Sequence, residues 1–161
     1  MPRWKIGWPS KEARKNRNGS KLGNLFNFQF LQSKNTYIYW MNFLAHIYLS
    51  GKDESIIIGN FIADGIKGKR YQNYPPQIAK GILLHRAIDT FTDAHPIVHQ
   101  STARLHKNYS HYSGVIVDIL YDHFLAKNWS EYSDEPLDEY VEHFYDLLRK
   151  NFTILPARIQ R

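Results

Sequence analysis

Between Gly81 and Pro96 the chain reads GILLHRAIDTFTDAHP, and this stretch limits the fold more than any other. Ile82, Leu83, Ala87, Ile88 and Phe91 recur at helical spacing and make an apolar side. His85, Asp89 and Asp93 stand at i, i+4 and i+8, so they form a drifting polar stripe on the same helix. A surface helix normally separates its two faces. Here polar and apolar positions are interleaved closely enough to bury some of the polar groups, and a buried His or Asp needs a partner. A bound cation is one such partner.

A chain of 161 residues with 43% hydrophobic content suits one domain with a real core. There is no cysteine, which excludes disulfides and thiolate ligands, so any metal must be held by His, Asp or Glu. No apolar run approaches the roughly 18 residues of a membrane span, and the expectation is a cytoplasmic protein with no membrane partner. The net charge of +6 suggests nucleic acid until it is located. Residues 1–40 hold eight Lys/Arg and one acidic residue (+7), whereas residues 41–161 hold 13 basic and 14 acidic residues (−1). The expectation is therefore no nucleic-acid partner for the larger part of the chain.

Residues 1–40 show neither helical nor strand periodicity. Basic, Asn-rich patches lead into an aromatic cluster from Phe26 to Trp40, without the apolar run of a secretory signal. We read 1–40 as a poorly structured upstream extension and Met41 as the working start. From there the pattern changes. Asn42 is placed to cap a short helix, FLAHIYLS, carrying His46 and ended by Gly51. Asp53 is placed to cap a second, ESIIIGNFIADGIKG. Pro75 and Pro76 open the central helix, and a less regular helix follows from Ile97 to Lys107. HYSGVIVDILYDHFLAKNW and LDEYVEHFYDLLRKNF supply two more. Nothing alternates with period two, so the domain is expected to be all-α.

Three of these helices carry polar residues four apart: Asn60/Asp64, His85/Asp89 and Asp118/Asp122. His46 lies on a fourth, and His123 adjoins the last pair. Helices packed around one centre converge such pairs into metal sites. Imidazole and carboxylate without thiolate suit Mn²⁺, Fe²⁺, Mg²⁺ or Zn²⁺. Each feature also has an ordinary reading. His46 serves equally as a hydrogen-bonded core histidine, Asp64 as solvent-facing polarity beside Gly65, and Arg86/Asp89 as a surface ion pair.

From Met41 onward these motifs resemble the acyl carrier protein phosphodiesterase (ACP hydrolyase) family. MNFLAHIYLS, IIIGNFIADGIKG, YPPQIAKGILLHRAIDTFTDAHP and GVIVDILYDHFLAKNW occur in its order, followed by the acidic helix and ILPARIQ. The resemblance covers 41–161 and none of 1–40. It implies an all-helical fold related to the HD phosphohydrolases and a Mn²⁺-dependent enzyme. The implied reaction hydrolyses the phosphodiester joining 4′-phosphopantetheine to a serine of holo-acyl carrier protein. Carried onto this chain, it implies His46, His85, Asp89 and Asp122 as metal ligands. Asp64 becomes a ligand or water-orienting base, Arg86 the phosphate contact, and Asp93, Asp118 and His123 supporting residues. Family members continue through further helices beyond the ILPARIQ position, so the helical domain is expected to be incomplete at its C-terminus. Two alternatives stay open: a metal-dependent phosphohydrolase acting on a nucleotide or other small phosphodiester, and an inactive remnant or helical binding protein.

Overall fold

The computed structural model describes residues 43–160. The expected extension 1–40, the start at Met41 and the Asn42 cap lie outside the described residues. Within them the chain is all-α, with six helices joined by short 3₁₀ turns and no strand. The helices are α1 (Leu44–Leu49), α2 (Glu54–Ile62), α3 (Pro76–Ala94), α4 (Pro96–Tyr109), α5 (Ser113–Lys127) and α6 (Leu137–Lys150).

Local chemistry sets the boundaries. Gly51 has φ of 72°, the left-handed conformation that lets the chain leave α1. Asp53 Oδ1 accepts the N–H groups of Ser55 and Ile56, capping α2 as its position suggested. Pro76 and Pro96 each open a helix, where a missing N–H costs nothing. The second helix is shorter than expected. It leaves α geometry after Ile62, tightens to a 3₁₀ turn over Ala63–Gly65, and runs extended at Ile66.

The long helix α3 packs along α2, and their contact decides where the polar groups lie. Gly59 on α2 and Gly81 on α3 face each other at the crossing. A Cβ on Gly59 would meet the Ile78 carbonyl oxygen, and one on Gly81 would meet the Ile56 carbonyl oxygen. Two bare backbones in contact place Asn60, next to Gly59, against His85, one turn beyond Gly81. Ile58, Phe61, Ile62, Ile78 and Ile82 fill the core on the same crossing. Leu147 of α6 and Leu155 close it, with Phe61 edge-on to both Phe43 and Phe144 at 5.0 and 5.1 Å. The opposite end is less covered: α4 buries no residue fully, and Phe91, Ile97 and Phe124 are exposed.

Candidate metal centre

His46 of α1 and His85 of α3 lie ring on ring, centroids 4.1 Å apart and planes 20° from parallel. Stacking aligns their nitrogens. Both Nδ1 atoms point at Oδ1 of Asn60, at 3.1 Å from His46 and 2.9 Å from His85. Both Nε2 atoms point the other way, each 3.3 Å from a different oxygen of Asp89. Nε2 of His85 is also 3.0 Å from Oδ1 of Asp64.

The proton positions follow from Asn60. This residue is fully buried, and its Nδ2 donates to the His46 carbonyl at 2.9 Å and to Ser50 Oγ at 2.8 Å. The Ser50 hydroxyl is itself committed as a donor to the His46 carbonyl. That carbonyl can only accept, so the amide nitrogen must face it and Oδ1 must face the histidines. Each histidine therefore donates its Nδ1–H to the shared oxygen. In a neutral imidazole this leaves a lone pair on Nε2. Two Nε2 lone pairs then confront the carboxylates of Asp89 and Asp64 at hydrogen-bond distance, acceptor against acceptor. Such a set needs either protons or a cation between its members.

The donor chemistry fits a cation. One ligand atom from each of His46, His85 and Asp89 can be chosen so that all lie within 4.8 Å of one another. Nitrogen and carboxylate ligands stand about 2.0–2.2 Å from a divalent transition ion, hence roughly 3–3.5 Å from each other in tetrahedral or octahedral arrangement. The observed 3.3 Å contacts match that spacing. Access is one-sided: the His46 side chain is 12% exposed and Asp89 46%. The centre thus opens to solvent through Asp89 and is closed behind by Asn60.

Charge effects describe the same cluster when protons serve in place of the cation. Burial works against protonated His46, but its hydrogen bond and charge attraction to Asp89, helped by Asp122 and Asp64, raise its pKa above 6.5. Burial alone would raise Asp64, yet the His85 hydrogen bond and the charges of His85, His46 and Arg158 hold it below the ordinary 3.8.

Other residues expected at the site are placed differently. Asp122 lies outside the His46–His85–Asp89 group. Its two oxygens accept the N–H groups of Leu44 and Ala45 at 2.8 and 3.0 Å, a cap supplied to α1 by α5. Burial outweighs those hydrogen bonds and raises its pKa. Arg86 donates Nη2–H to the Ile66 carbonyl at 2.6 Å and lies over the Tyr71 ring, its guanidinium carbon 5.5 Å from the centroid. It fastens the exit loop of α2 rather than reaching out. Asp118, though largely solvent-facing, is pushed up to about 6 by partial desolvation and the negative charges of Asp93 and Asp89. His123 is exposed, edge-on to Phe124.

Asn60 is the main site residue to which the sequence assigns no role. Its spacing from Asp64 was visible, but an amide is no metal ligand of choice, and only the fold shows two imidazoles sharing its oxygen.

Comparison with known proteins agrees with the motifs. Residues 41–161 match the family described as acyl carrier protein phosphodiesterase. The chain is similar to the acyl carrier protein phosphodiesterase of Yersinia pestis, 35% identical over 121 residues, which cover 74% of this chain and 63% of that protein. It is 34% identical over 121 residues to the same-named protein of Pectobacterium atrosepticum, with the same coverage. It is 36% identical over 122 residues to that of Escherichia coli O6:H1, covering 75% of this chain and 62% of the relative. The chain thus spans a little under two thirds of the length of these curated relatives. No solved structure matches it.

Proposed function

The chain belongs to the acyl carrier protein phosphodiesterase family, and on that premise we propose that it hydrolyses the phosphodiester between 4′-phosphopantetheine and a serine of holo-acyl carrier protein. Water adds to phosphorus, the bond from phosphorus to the serine oxygen breaks, and the serine hydroxyl leaves carrying a proton. His46, His85 and Asp89 would hold a divalent cation, in this proposal Mn²⁺, with Asp64 beside them. A cation bound there would polarise a phosphoryl oxygen and lower the pKa of a coordinated water.

The protein's own contribution is orientation. Asn60 keeps both imidazoles in the tautomer that presents Nε2. Asp122 fixes the start of α1, the helix that brings His46 into register. Asp64, held ionised by its neighbours, accepts a hydrogen bond from the attacking water and aims it; a carboxylate of such low basicity orients better than it deprotonates. The exposed Lys67, Lys69 and Arg70 follow directly on this turn, and their positive charge suits approach of an acidic carrier protein. The proposed reaction is a cytoplasmic one. Among the described residues no helix is long and apolar enough to cross a membrane.

The observation supporting this reading is the pair of stacked histidines whose Nδ1 atoms share one buried amide oxygen while both Nε2 atoms face carboxylates. The test is incubation of the full chain with Mn²⁺ and holo-acyl carrier protein, followed by mass spectrometry. Loss of the phosphopantetheine mass from the carrier, with release of 4′-phosphopantetheine, is expected. Cleavage of a cyclic or linear nucleotide diester without carrier turnover would overturn the substrate assignment; turnover of neither would overturn the enzyme.

A further inference from the structure

A hook at the end of the described chain returns to the metal centre. Beyond α6, Leu155 is buried in the core and Ile159 packs against it. Between them the backbone turns tightly, with the N–H of Ile159 donating to the Pro156 carbonyl at 2.7 Å. The Gln160 side chain closes the turn by donating to the carbonyls of Phe152 and Leu155 at 2.8 and 2.9 Å. Arg158 is presented from this anchored turn, and its guanidinium covers Gly65. A Cβ on Gly65 would lie 2.7 Å from Nη2 and 2.9 Å from Cζ and Nε of Arg158. The guanidinium thus occupies the space that a side chain at Gly65 would take. The residue before it is Asp64, 3.0 Å from His85.

We propose that Arg158 is a substrate-binding residue of this centre, making the cationic contact to a non-bridging oxygen of the bound phosphodiester. The inference rests on the phosphodiesterase reading above and adds a residue to it. Asp64 and Asp89 give the mouth of the site negative charge, with Asp93 and Asp118 near it, and a phosphodiester anion approaching that mouth needs an offset. Arg86 is turned onto the Ile66 carbonyl and Tyr71. The Arg158 guanidinium lies over Gly65, the residue that follows Asp64 in the turn. A guanidinium offers several N–H donors in one plane, which suits the two non-bridging oxygens of a phosphodiester.

Arg158→Ala, Arg158→Lys and Gly65→Ala test this in the full chain. Arg158 is exposed, so its variants are expected to keep the wild-type melting temperature and Mn²⁺ affinity. KM for holo-acyl carrier protein should rise roughly 10- to 100-fold in Arg158→Ala, the range for loss of a charge-assisted hydrogen bond, with kcat less affected. Arg158→Lys should recover part of the loss, and Gly65→Ala should mimic it by displacing the guanidinium. An unchanged KM in Arg158→Ala overturns the proposal. If the wild-type chain turns over no substrate, the phosphodiesterase reading fails by itself. Arg158 is then judged by calorimetric titration of the Mn²⁺-loaded chain with inorganic phosphate. Weaker binding in Arg158→Ala than in wild type supports the contact; equal binding, or none in either, overturns it.

Discussion

Gly59 and Gly81 touch backbone to backbone where α2 crosses α3: a Cβ built on either would lie 2.9 Å from the Cα of the other. That contact brings Asn60 to His85. The metal centre therefore depends on two residues that have no side chain at all. Gly81→Ala would drive its methyl into the Ile56 carbonyl, and rigid backbone on both sides gives it nowhere to go. The expected cost is at least the roughly 1–3 kcal/mol of an overpacked core, read by urea denaturation. Because the helices separate at Asn60, Mn²⁺ affinity should fall with stability. A variant of wild-type stability would show that the two helices can part without consequence.

Asn60 accepts from two histidines and donates to Ser50 and the His46 carbonyl. Asn60→Ala leaves the two Nδ1–H groups and the His46–Ser50 pair without it in a buried site. Each buried group left unsatisfied costs about 1–3 kcal/mol, so the variant should be among the least stable single substitutions. Loss of a residue that orients metal ligands typically lowers metal affinity by about 10–100-fold. The specific readout is ¹⁵N NMR of the histidine rings. In wild type both His46 and His85 should show the Nδ1–H tautomer, and in Asn60→Ala that preference should be lost. Two Nε2–H tautomers in the wild-type protein would contradict the assignment.

The pH dependence without metal has a definite sign. Folding raises the pKa of His46, so its contribution is complete below 6.5 and is lost as pH rises through the raised value. Asp118, lifted from 3.8 to about 6, and Asp122, also raised, act in the same direction, since above 3.8 their deprotonation favours the unfolded chain. Asp64 is lowered: its contribution is present above 3.8 and disappears only as pH falls through its lower folded value. Between pH 5 and 8 it is constant. The melting temperature of the metal-free protein should therefore fall across that interval. A cation takes over the role of the lost protons, so the rise in melting temperature on adding Mn²⁺ should be larger at pH 8 than at pH 5. Equal increments at both pH values would contradict this.

Helix positions were legible because each carries its own signal: Asp53 before α2, Pro76 and Pro96 at two starts, and apolar spacing along α6. The His85/Asp89 pair was legible for the same reason, since i, i+4 spacing is a property of one helix. Relations between helices were not. Asp122 reads as one more acidic residue at metal-ligand spacing, and only the fold shows that the first N–H groups of α1 donate to its two carboxylate oxygens. Arg86 lies in the HRAID motif beside a ligand, yet the loop after α2 needs its guanidinium at the Ile66 carbonyl. The turn at Ala63–Gly65 was hidden because nothing in ADGIKG marks where α geometry gives way to a 3₁₀ turn, and the Arg158 guanidinium lying on Gly65 is again a relation between distant segments.

The most direct test is titration of the metal-free chain with Mn²⁺ followed by electron paramagnetic resonance, in which the signal of the free aqueous ion disappears on binding. One ion per chain is expected for wild type, with binding lost in His85→Ala and Asp89→Asn. Asp122→Asn, which keeps an acceptor for the start of α1, should retain most of the affinity. No binding by the wild-type chain, or undiminished binding by Asp89→Asn, would contradict a metal centre built on His46, His85 and Asp89.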